Sequence, residues 1–125
     1  MALGKIKADT LEHSTAGTVD TKFVVNGSAK YWVDFNGSGT VAVRDSLNHA
    51  SLVDGGTGIY TISYTNSFNN ASYCCPAGQS DNAGSIAVPR QNTDLATGST
   101  VIRTTNGSAA LDTPYIHVAI FGDLA

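Results

Sequence analysis

Charge is what this chain most lacks. Asp, Glu, Lys and Arg make up 14 % of its 125 residues, against about a quarter in an ordinary globular domain. Glutamate occurs only as Glu12, so nothing after residue 28 carries that side chain. Basic residues nowhere cluster; the nearest thing to a patch is Lys5 with Lys7. Binding nucleic acid through its phosphates takes several converging cations, and this chain does not supply them. Long apolar runs are also missing, which argues against membrane insertion through a helix. The opening residues MALGKIKADT lack the hydrophobic region of a signal peptide. Synthesis in a cytoplasm, without signal-directed export, is therefore expected. The two cysteines, Cys74 and Cys75, are adjacent. A disulfide between neighbours is strained, and two cysteines without spacing do not make a metal site. Two reduced thiols are expected, one facing the core and one not.

Gly, Ser, Thr and Asn take the place of charge. They suit turns and strands and starve helices. Apolar residues, at 42 %, suffice for a core, and the length suits one domain. Residues 1–28 differ from the rest. They hold Lys5, Lys7, Asp9, Glu12, Asp20 and Lys22, with one apolar burst at Phe23-Val24-Val25. This stretch reads as an extended N-terminal arm, able to reach about 90 Å if fully drawn out. Its apolar residues Leu3, Ile6 and Leu11 are candidates for attachment to a neighbouring copy or another partner.

From residue 29 onward the pattern is β. Tyr31, Val33 and Phe35 alternate with Trp32 and Asp34, and Val41 and Val43 with Ala42 and Arg44. A three-residue loop at Gly37-Ser38-Gly39 would set Phe35 against Val41 and Val33 against Val43, with Gly39 in the left-handed conformation such a loop requires. Trp32 would then oppose Arg44. Pairing Asp54 with Gly58 would similarly set Leu52 against Tyr60. Further strands are expected over 72–75, 85–88, 100–104 and 115–121, with polar loops over 77–84 and 92–98. Pro76, Pro89 and Pro114 fall at strand ends, where a missing N–H does least harm. Short strands separated by turns, with no helical period, predict an all-β, antiparallel β-sandwich of jelly-roll type over 29–125.

Chemistry-bearing constellations are few. His13, His49 and His117 show no metal-ligand spacing. His117 should project from the face opposite Ile116 and Val118, as a surface or interface residue. Glycoside hydrolysis needs two converging carboxylates, and the aspartates fall mostly beside turns, where they tend to bond their own backbone. Asp34 is the mid-strand exception, within possible reach of Arg44. Trp32 offers a flat ring for stacking on Arg44 or on a sugar, or else packs at a contact between sheets or subunits. The candidate binding set is Trp32, Asp34 and Arg44. No catalytic set, metal site or cofactor is implied. The Asn-x-Ser/Thr triplets at Asn26, Asn36, Asn70 and Asn106 would be glycosylation sites only in a secretory pathway, to which nothing points, and the three Asn-Gly ones (Asn26, Asn36, Asn106) read first as turns.

Several stretches together resemble a family of virion proteins of tailed phages, many from aquatic bacteria. They are ADTL with VDTKFVVNGSAK in the arm, WVDFNGSGTVAVRDS at 32–46, DGGTGIYT at 54–61 and VAIFGD at 118–123. Members are tail-fibre, knob or other structural proteins. The resemblance spans nearly the whole chain and is most specific at 32–46 and 56–61. It implies a non-enzymatic virion component, β-rich and assembling as a homotrimer. Residues 1–28 would then bind other virion proteins, and the outer surface would meet a host-surface glycan. The long shaft of many tail fibres is not represented here, and the length also suits a capsid decoration protein whose arm clamps the shell. A glycan-degrading tip enzyme is the third alternative.

Overall fold

The computed structural model describes residues 4–80, 86–89 and 93–125. Antiparallel sheets dominate it, as expected for an all-β chain. An N-terminal hairpin pairs β1 (Thr10–His13) with β2 (Gly17–Asp20), and a short helix α1 (Thr21–Gly27) follows. Eight strands come next: β3 (Tyr31–Asn36), β4 (Ala42–Leu47), β5 (His49–Asp54), β6 (Ile59–Tyr64), β7 (Ala77–Ser80), β8 (Ile86–Pro89), β9 (Ser99–Thr105) and β10 (Tyr115–Ile120). They form two four-stranded sheets, ordered β4-β3-β10-β7 and β5-β6-β9-β8.

The inner faces of these sheets make the core. Alternation sends Tyr31, Val33 and Phe35 of β3, with Ile116, Val118 and Ile120 of β10, to one side. Tyr60, Ile62 and Tyr64 of β6, with Thr100, Ile102 and Thr104 of β9, meet them from the other. Aromatic edges cross the gap: Phe35 meets Tyr60 with ring centroids 5.2 Å apart, and Tyr31 meets Tyr64 at 4.8 Å. Buried hydroxyls find partners, as buried polar groups must. Tyr64, Tyr73 and Thr100 bond one another, and Tyr60 Oη donates to the Gly37 carbonyl at 2.7 Å.

Several expectations need correction. The hairpins β3–β4 and β5–β6 each stay within one sheet, unlike a jelly roll, whose consecutive strands mostly switch sheets. The β3–β4 register sets Phe35 opposite Val43 and Val33 opposite Ser46, not Val41 and Val43. Its loop is longer than three residues, and the Asn36 side chain spans it by donating to the Ser38 and Thr40 carbonyls. Gly39 does take a positive φ, +67°. In the second hairpin Leu52 opposes Ile62 and Asp54 opposes Tyr60, again one longer loop than expected. Residues 72–75 contribute only a single bridge, Cys74 to Phe121. Part of the supposed loop over 77–84 is strand β7. Ser85 lies outside the described residues.

The N-terminal stretch is not one continuous extended arm. Its hairpin and helix are joined by Thr21, whose N–H and Oγ1 donate to the Asp9 and Ala8 carbonyls at 2.8 and 2.7 Å. Lys30 Nζ donates to the Ser28 carbonyl at 2.8 Å and to the Val25 carbonyl, placing a cation at the C-terminal end of α1. None of the seven helix residues is buried, and every residue of β1 and β2 is exposed.

Candidate binding groove on the outer sheet

The outer face of sheet β4-β3-β10-β7 brings the three predicted binding residues to one surface, and a strand irregularity is what does it. Asp34 pairs with Asp45 but Phe35 pairs with Val43, so Arg44 is the extra residue of a β-bulge. Bulges re-aim side chains. Here the guanidinium turns to Asp34, with Nη1 3.1 Å from Oδ1. It also donates from Nη2 to the Pro114 carbonyl and lies over the Tyr115 ring, 4.3 Å from its centroid. Directly opposed Asp34 and Asp45 would repel, and the bulge sets a cation beside them.

Trp32 is placed differently from its expected partnership. It opposes Leu47, not Arg44, and Arg44 stacks on Tyr115. On its other side Trp32 adjoins Ala119 of β10, whose N–H donates to the Pro76 carbonyl at 3.0 Å. The next row across the sheet runs Asp34, His117, Gly78. His117 Nδ1 sits 3.5 Å from Asp34 Oδ1. These two rows line a shallow groove of about 520 Å³. Trp32 walls one side, and small residues (Ala77, Gly78, Ala119) keep the floor low. A Cβ built on Gly78 would meet nothing within 4 Å.

His117, Tyr115 and the small-residue floor are the parts of this surface that reading the sequence did not assign to it. His117 was expected outside, which holds, but its pairing with Asp34 depends on β10 lying beside β3. The signal was present in the alternation of both strands; only the strand order was missing.

The attachment candidates divide. Leu3 lies outside the described residues. Ile6 is 94 % exposed and Leu11 46 %, and both border a hollow with Val24 and Val25. Phe23, at 62 % exposure, adds to the uncovered apolar surface, with Lys22 Nζ 5.1 Å from its ring centroid.

The remaining polar groups serve the fold. Asp54 and Asp45 bond nearby backbone N–H groups, as turn aspartates tend to. Asp112 does not follow that expectation: its Oδ1 accepts from Gly58 N–H at 2.7 Å and Tyr60 Oη at 2.9 Å. Asp94 pairs with Arg103 at 3.0 Å. Cys74 is exposed, while Cys75 packs against the core and burial pushes its thiol up to about 12. Compared with protein families, with curated proteins and with solved structures, the chain matches none.

Proposed function

We propose that this chain is a non-enzymatic surface component of a tailed-phage virion, a tail-fibre or knob subunit that assembles as a homotrimer. The sandwich faces outward and its groove meets a host-surface glycan. Residues 1–28 hold it to sister subunits or to other virion proteins. The observation that carries this reading is the contrast between two parts of one chain. The sandwich completes its own core, whereas β1, β2 and α1 bury none of their side chains. A two-stranded hairpin and a helix of two turns are marginal in water on their own. Exposed Ile6, Leu11, Phe23, Val24 and Val25 therefore suit a unit completed by a partner.

The non-enzymatic part of this reading rests, like the phage assignment, on the sequence resemblance.

Antibody labelling of purified particles tests the reading. Label along the tail or its fibres is the expected result. Label spread over the head would replace it with the capsid-decoration reading, which the same uncovered N-terminal unit favours, as a clamp on the shell. Deleting residues 1–28 should abolish incorporation in either case.

A further inference from the structure

Resting on the glycan-binding reading above, we infer that the outer-sheet groove is a subsite for an uncharged sugar ring and discriminates against acidic ones. Trp32 supplies a half-buried flat face, and the low floor at Gly78 and Ala119 lets a ring lie against it. Sugar rings present C–H groups on one face and hydroxyls at their edge. A groove with one aromatic wall and a polar opposite row answers both.

The polar row decides the charge. Asp34 is half-buried, and its contacts with Arg44 and His117 both fall on Oδ1. Oδ2 has no partner among the described residues and can accept hydroxyl protons, while His117, 57 % exposed, offers a ring nitrogen from the same row. Among the described residues, no lysine or arginine lines the groove. Arg44, beside Asp34, is committed to that carboxylate, the Pro114 carbonyl and the Tyr115 ring. A carboxylate or sulfate on the ligand would thus face Asp34, with Asp45 one strand away, and no lysine or arginine among the described groove residues would offset it.

Gly78 makes the inference testable without disturbing the core. A Cβ there would meet nothing within 4 Å, so a small side chain can be added at the groove, and its φ is not in the left-handed region. The experiment uses the purified full chain at pH 8 on an array of immobilised neutral hexose and N-acetylhexosamine oligosaccharides. Their uronate, sialylated and sulfated counterparts are printed beside them. Binding to neutral members is expected, little affected by salt. Trp32→Ala should weaken it about tenfold or more, and Trp32→Phe much less. Gly78→Val should weaken it comparably at an unchanged melting temperature. Binding confined to acidic members would overturn the inference and leave the glycan reading standing. Neutral binding that Gly78→Val and Trp32→Ala both leave intact would also overturn it, by placing the site elsewhere. No binding to any member would remove the glycan reading, and this inference with it.

Discussion

At Gly58 one added methyl group would do great harm. The residue sits at φ +66°, and a Cβ there would come within 2.5 Å of the Thr104 carbonyl oxygen and 2.9 Å of Leu111 N. Its own N–H is tied to Asp112. Gly39 has almost the same φ, +67°, but open space around it. The pair separates strain from collision. Gly39→Ala should lose about 1 kcal/mol, the usual left-handed penalty. Gly58→Ala should lose about 3 kcal/mol or more, because backbone atoms must move as well. Urea denaturation measures both through the midpoint at constant slope; equal losses would show that the close approach to Thr104 relaxes at no cost. The neighbouring cysteines make a second residue-scale contrast. Iodoacetamide at pH 8 should alkylate exposed Cys74 in the folded protein and reach Cys75 only after denaturation, because burial keeps that thiol protonated. Peptide mass spectrometry reads the two positions separately, and native modification of Cys75 would contradict its packing.

Elements differ in how far they depend on the rest of the chain. The N-terminal hairpin and helix bury nothing, so removing residues 1–28 should leave the melting temperature of the sandwich within about 2 °C, while abolishing self-association. A large drop in melting temperature would mean that this unit supports the core directly. How much of each element the sequence disclosed follows the same division between local and distant causes. The inward set Tyr31, Val33 and Phe35, and the outward pair Trp32 and Asp34, were legible because side-chain direction in a strand is a local property. The register opposite them was not. Choosing partners by apolar match selects a three-residue loop, whereas the real one is longer, spanned by the Asn36 side chain and followed by a bulge at Arg44. Neither feature alters the apolar pattern. Strand β7 was missed because Ala77-Gly78-Gln79-Ser80 contains no β-branched or aromatic residue; its pairing with β10 comes from tertiary context. Helix α1 was missed because adjacent valines disfavour helix locally. Of the groove, Trp32 and Asp34 were legible, with Arg44 beside Asp34, and His117 was not joined to them until β10 was placed beside β3.

At the scale of the whole molecule, the two sheets are stitched together at both ends of the β3–β6 crossing. Tyr60 of β6 reaches across to the Gly37 carbonyl, and Tyr31 of β3 meets His49 of β5, with Oη 2.9 Å from Nδ1. The second stitch titrates. Burial holds the His49 pKa below its ordinary value and raises that of Tyr31, so near neutrality both partners of this hydrogen bond are uncharged. Protonating His49 places a charge in this half-buried site, which burial disfavours. Because the folded pKa is the lower one, unfolded chains take up the proton first as pH falls. His49 therefore leaves stability flat above about pH 6.5, the ordinary histidine value. Stability should then decline below that point with a slope of at most one proton, and this contribution should level off once pH passes the depressed folded pKa. Urea denaturation at a series of pH values, on the wild-type chain and on His49→Gln, isolates the effect. The glutamine variant should lose the part of the decline that begins near pH 6.5, since its amide keeps a neutral acceptor at every pH. An identical decline in both proteins would move the pH sensitivity away from the Tyr31–His49 contact.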